Sequence, residues 1–169
     1  MPGDIIQILK MKEKNKLLDL ARSPLKFQLF LLSKIPAAFL SGIKIKEISL
    51  EKCVTSVPFR WLTQNPFHST YFASLAMAAE MSTGIMALMN TYDKTPAISM
   101  LVTKMEANYF KKARGITFFS CTQGPEIAAA VNQASAGKEG TTITVKSTGR
   151  NKGDELIAEF LFTWSFKTK

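Results

Sequence analysis

Residues 66–90 read PFHSTYFASLAMAAEMSTGIMALMN. The stretch holds no breaker except Gly84, it is apolar nearly all round, and its one charge is Glu80. A helix without a polar face has to be buried on every side. The reading therefore starts from a single central helix and asks what the rest of the chain can wrap around it.

The residues after this helix predict strands. Ser99–Phe110 alternates, with Met105, Ala107 and Tyr109 on one face and Lys104, Glu106 and Asn108 on the other. Gly115–Thr122 is short and rich in β-formers. Thr141–Thr148 puts Ile143 and Val145 opposite Thr142, Thr144 and Lys146. Glu155–Phe166 is the clearest. Leu156, Ala158, Phe160, Phe162, Trp164 and Phe166 share one face, and Glu155, Glu159, Thr163 and Ser165 fall on the other. Asn151-Lys152-Gly153 reads as the tight connection of a long hairpin. Pro125–Ala136 reads as a helix, with Pro at its start and Gly137 past its end.

Before the central helix, Ile43 to Leu50 and Cys53 to Phe59 are two more strand candidates. Ser23-Pro24 opens a helix that runs to Lys34 and stops before Pro36. Residues 4–21 form a weak amphipathic helix that Lys10 to Lys16 interrupt. The order predicts an α+β domain over 42–169, a curved antiparallel sheet around one helix, with a helical N-terminal extension over 1–41.

Composition bounds the function. The chain has 169 residues, 46% apolar and 21% charged, enough for one domain with a real core. A single histidine, His68, and two cysteines, Cys53 and Cys121, exclude multi-histidine and four-ligand zinc sites within one chain, so no metal is implied. Twenty-two basic residues against 13 acidic ones leave a net charge of +9. Eighteen of the 22 are lysine and four are arginine, which argues against nucleic-acid readout, where forked arginine contacts dominate. Residues 1–60 carry net +6 and residues 61–169 net +3, so the excess leans to the N-terminus. An anionic small ligand or an acidic membrane surface suits the same charge. No targeting or membrane-spanning segment is read, and a cytoplasmic protein with reduced thiols is expected.

NPFHSTYFASLAMAAEMSTGIMAL (65–88), YFKKARG (109–115) and ELIAEFLFTWSFK (155–167) resemble the hotdog-fold thioesterase superfamily, and most of all an uncharacterised bacterial branch of it. The resemblance covers roughly residues 42–167. It implies the hotdog fold, subunits that pair to extend the sheet into a dimer or a dimer of dimers, and acyl thioester chemistry, foremost on acyl-CoA. It makes Glu80 the helix acid that serves as base or nucleophile, and Asn65, 15 residues upstream, the positioning group. A backbone N–H near Phe72 becomes the donor to the thioester oxygen. Lys111, Lys112 and Arg114 fall near the mouth of the acyl-CoA tunnel, where they would meet nucleotide phosphates. One departure is plain. Where the family commonly has His-Gly-Gly at the helix entry, this chain has Tyr71-Phe72-Ala73, and Phe72 takes the place of a glycine that admits substrate to the backbone.

Each residue also has a plainer reading. Glu80 is either a desolvated base or a structural acid, paired within the chain or across a dimer interface. Asn65-Pro66 is also an ideal N-cap and first helical position. Lys111, Lys112 and Arg114 also read as a solvated basic turn. His68 has no adjacent acid to orient it for a triad. The alternative function is a non-catalytic hotdog protein that binds acyl-CoA or lipid. A third is a membrane-surface or nucleic-acid partner working through the basic N-terminal helices.

Overall fold

The computed structural model describes residues 17–137 and 139–169. Residues 17–22 are helical (α1), and the part of the expected first helix before residue 17 lies outside the described residues. There follow α2 (Pro24–Lys34), α3 (Pro36–Leu40), β1 (Lys44–Ile48), β2 (Cys53–Val57) and a short 3-10 turn (Trp61–Thr63). The central helix α4 spans Phe72–Thr91. After it come β3 (Ile98–Tyr109), β4 (Thr117–Cys121), α5 (Gly124–Ala136), β5 (Thr141–Asn151) and β6 (Leu156–Thr168). All six strands join one antiparallel sheet in the order β1-β2-β4-β5-β6-β3.

The sheet takes its inner face mostly from β6, as the alternation requires. Ala158, Phe160, Phe162, Trp164 and Phe166 are buried, and the residues between them are half-exposed. Phe160 meets Phe119 edge-on at 5.7 Å and stacks on Phe162 at 5.9 Å. Full burial of such a side chain contributes about 1.5–3 kcal/mol. Gly149 of β5 is required by this packing, because a Cβ there would stand 2.3 Å from the Phe119 ring. The N-terminal helices share the same core. Phe27 and Leu31 of α2 and Ala38 of α3 are buried in it, and Gln28 Nε2 donates to the Ile43 carbonyl at 2.9 Å.

α4 packs on β2, β4 and β5, with α5 alongside. Three side-chain hydrogen bonds tie its covered side to the sheet. Thr55 Oγ1 donates to the Ala78 carbonyl (2.6 Å), the Ser82 and Ser147 hydroxyls share a hydrogen bond (2.8 Å), and Trp164 Nε1 donates to Thr83 Oγ1 (3.1 Å). Burying a hydroxyl is costly unless it is bonded, and these bonds fix how the helix sits against the sheet.

Two expectations change. The helix is not covered on every side: Phe72 is exposed, and Ala73, Ala76, Met77, Glu80 and Leu88 stay partly uncovered. Positions 73, 76, 77 and 80 are three or four residues apart, and 72 and 88 lie four and eight residues from 76 and 80, so they share one stripe. β3 does not bury its apolar alternation either. It is the outer strand beside β6, only Ile98 is buried, and Leu101, Met105 and Tyr109 are exposed. An edge strand has one neighbour and little helix above it, so alternation alone does not cover a face.

Candidate functional site

The site is built at the entry to α4. Residues 65–70 are not helical, contrary to the N-cap reading of Asn65. The Asn65 side-chain oxygen accepts from the Phe67 N–H (3.0 Å), the Ser69 N–H (3.3 Å) and the Ser69 hydroxyl (3.2 Å). His68 sits at φ 55°, in the left-handed region. A side chain that bonds the backbone two residues on offers the chain a turn in place of a helix. The helix therefore begins at Phe72, with Tyr71 as its N-cap and no side chain capping it.

Two backbone bonds pin this entry. Thr70 N–H donates to the Ala113 carbonyl (2.8 Å), and Tyr71 N–H donates to the Thr63 carbonyl (2.7 Å). The first ties the turn before α4 to the turn after β3. Between them opens a cleft of about 770 Å³, lined by Asn65, Phe67, Phe72, Leu75, Tyr109, Phe110, Lys111 and Lys112, among others. That volume is in the range that holds a small organic ligand. Among the described residues, the Phe72 and Ala73 N–H groups find no acceptor, and no acid sits in the first turn of the helix. The open end of a twenty-residue helix carries partial positive charge.

Four of the six residues singled out from the sequence thus line one cleft: Asn65, Phe72, Lys111 and Lys112. Lys111 is already paired with Glu155 at 2.5 Å, and its hydrogen bond holds that carboxyl below its ordinary range. Lys112 Nζ lies 5.9 Å from the centre of the Phe67 ring. Arg114 lines a second cleft of about 400 Å³ together with Lys112 and Lys152. The two clefts share Lys112 and Ala113. Lys152 was missed in the sequence, since it belongs to a hairpin tip, and only strand pairing carries that tip to the 111–115 turn.

Glu80 stands apart from this cleft. It is eight residues beyond Phe72, about 12 Å along the helix axis, on the partly uncovered stripe. Among the described residues no donor reaches its carboxylate, and burial pushes it from the ordinary 4.5 up to about 7. Gly84 makes room for it: a Cβ there would lie 2.6 Å from Glu80 Oε1 and 3.3 Å from Trp164. The carboxylate is therefore desolvated, near the point of taking up a proton at neutral pH, and open to an approaching group.

The other candidates fall away from the site. His68 is exposed on its turn. Cys53 and Cys121 are buried and face each other across β2 and β4, and burial raises both thiols. Protonated thiols of this kind are poor nucleophiles.

Residues 26–165 match the family described as a domain of unknown function, DUF4442. No curated protein matches the chain. Among solved structures it is similar to a protein from Pseudomonas aeruginosa described as a probable thioesterase, with TM-score 0.72, 15% identity, and coverage of 87% of this chain and 97% of that one. A thioesterase from Haemophilus influenzae is similar with TM-score 0.60 and 17% identity, over 83% of this chain and 88% of the other. The PaaI protein of the Escherichia coli phenylacetic acid degradation operon is similar with TM-score 0.62 and 11% identity, over 90% and 94%. With the antiparallel sheet around α4, these likenesses identify the hotdog fold of thioesterase-like proteins, and the chain belongs to the DUF4442 family.

Proposed function

We propose that the protein hydrolyses acyl thioesters, with acyl-CoA as the substrate class, in a cytoplasmic setting. The observation that carries this reading is the cleft at the uncapped start of α4. Its walls are largely apolar and aromatic, Phe72 lines it, and the N–H groups of Phe72 and Ala73 at that helix start have no acceptor among the described residues. An acyl chain would lie against the apolar wall with its carbonyl oxygen at those N–H groups. Such donors stabilise the negative charge that develops when the carbonyl is attacked. Asn65 would position the substrate, because its side-chain oxygen is engaged in the turn and its amide nitrogen has no partner among the described residues. Lys112, Arg114 and Lys152 would meet the phosphates, with Lys111 beside them.

Glu80 would be the base. It takes a proton from water as the water oxygen bonds to the carbonyl carbon; when the C–S bond breaks, that proton passes from Glu80 to the sulfur, releasing the thiol and the carboxylic acid and leaving Glu80 ionised. Glu80 does not line the cleft of its own chain, so the reading takes a second copy. The uncovered stripe of α4 and the open edge of β3 support a dimer that brings Glu80 of one protomer to the cleft of its partner.

The test is hydrolysis across a panel of acyl-CoA chain lengths, read as free thiol, for wild type and Glu80→Gln, with the dimer verified for both. The expected result is turnover that rises as pH passes about 7, and a loss on the order of 10²–10⁴-fold in the variant. A second reading has its own support. Phe72 stands at the helix entry, where it narrows the approach to the N–H groups, and Glu80 does not line the cleft. Saturable acyl-CoA binding without turnover in folded dimer would establish a non-catalytic binder instead.

A further inference from the structure

The N-terminal extension presents a surface that the acyl thioester reading does not use. Phe27 and Leu31 fill the inward side of α2. The opposite side carries Leu25, Leu29 and Leu32, which are 72%, 58% and 49% exposed. Spacings of four and three residues set these leucines in one stripe along the helix. Leu40, at the end of α3, is exposed too. Arg60 donates to the Leu40 carbonyl at 2.5 Å, which holds the turn bearing Trp61, 79% exposed, beside that helix. A leucine stripe in water is unfavourable, and contiguous exposed apolar surface marks a docking site.

The charge around this stripe identifies the occupant. Residues 22–46 hold five cations, Arg22, Lys26, Lys34, Lys44 and Lys46, and no acid. All five are described, and none forms an ion pair among the described residues. A second copy docked here by two-fold symmetry would set these cations against their own equivalents, which is repulsive. A nucleic acid would use the cations but leave the leucines in water. An anionic bilayer accepts both, with leucines among the acyl chains, lysines at the headgroups and tryptophan at the boundary.

We propose that the outward face of α2, with the Trp61 turn that Arg60 ties to the end of α3, docks the protein on anionic lipid membranes. The insertion is shallow and reversible, because one helix of eleven residues supplies the apolar contact.

The test is flotation of the full chain with vesicles of phosphatidylcholine, and of phosphatidylcholine mixed with phosphatidylglycerol, at low and high salt. The expected result is flotation with the anionic vesicles that weakens with salt, and little with the neutral ones. Leu25→Ser, Leu29→Ser and Leu32→Ser combined should abolish it while the protein stays folded in a single cooperative unfolding transition, because about half or more of each side chain is already exposed. Lys26→Gln with Lys34→Gln should weaken it on the order of tenfold. No flotation with anionic vesicles overturns the proposal. So does flotation that survives the triple variant, which would place the contact elsewhere. Duplex DNA bound as tightly as the vesicles, or a change in oligomeric state in the triple variant with no lipid binding, would reassign the face to nucleic acid or to a second copy.

Discussion

The two sides of α4 follow different rules. On the side facing the sheet, polar groups find partners in the same chain: Thr83 accepts from Trp164, Ser82 bonds Ser147, and the Ala78 carbonyl accepts from Thr55. On the other side lies Glu80, desolvated and unpartnered among the described residues, flanked by Ala73, Ala76, Met77 and Leu88. The first side is a finished core. The second has lost water without gaining a partner, an arrangement that stability alone does not favour and that a ligand or a second protomer would complete.

The largest test of the contrast is on the sheet side. Phe160→Ala removes a fully buried ring that touches Phe119, Phe162 and Tyr109. It should destabilise the fold by about 3–5 kcal/mol in denaturant unfolding. A loss below about 1 kcal/mol would mean the core is not packed around this residue.

The next test is the pH dependence of the Glu80 side. The carboxyl binds its proton more tightly folded, at about 7, than at its ordinary 4.5. The folded state therefore holds more protons between those values. The contribution is fully present below pH 4.5, falls as pH rises, and is lost above about 7. The change is at most about 3 kcal/mol. Unfolding free energies for wild type and Glu80→Gln across this window should differ in slope, with the variant flatter. Equal slopes would mean that the carboxyl is solvated in solution and the two sides of the helix are alike.

The smallest effect comes from Ser147→Ala. Ser82 keeps its bond to the Ala79 carbonyl at 2.7 Å, so the loss should be about 0.5–1.5 kcal/mol. A much larger loss would show that this hydrogen bond governs how α4 is seated.

Much of this fold is legible because it rests on local pattern. An apolar run of helical length, and the period-two alternation of β6 from Ala158 to Phe166, identify the centre and its main wall. The hairpin tip is equally local, with Asn151 Oδ1 accepting from the N–H groups of Gly153 and Glu155. The start of α4 was less clear, because Asn65-Pro66 signals a helix as readily as a turn. Bonds from Asn65 to residues 67 and 69, with the left-handed His68, settle it as a turn. The alternation of β3 predicted a buried face, but its place at the sheet edge leaves that face largely in water.

The sequence by itself determined most of the elements, though not α3 or the start of α4, together with the α+β class and the oddity of one acid in an apolar helix, because each depends on neighbours within a few residues. Tertiary structure alone decided that the turn before α4 meets the turn after β3 at Ala113, that Lys152 joins Arg114, and that Glu80 does not line the cleft at the helix entry. These depend on strand order and on contacts between residues dozens of positions apart, and no local spacing encodes them.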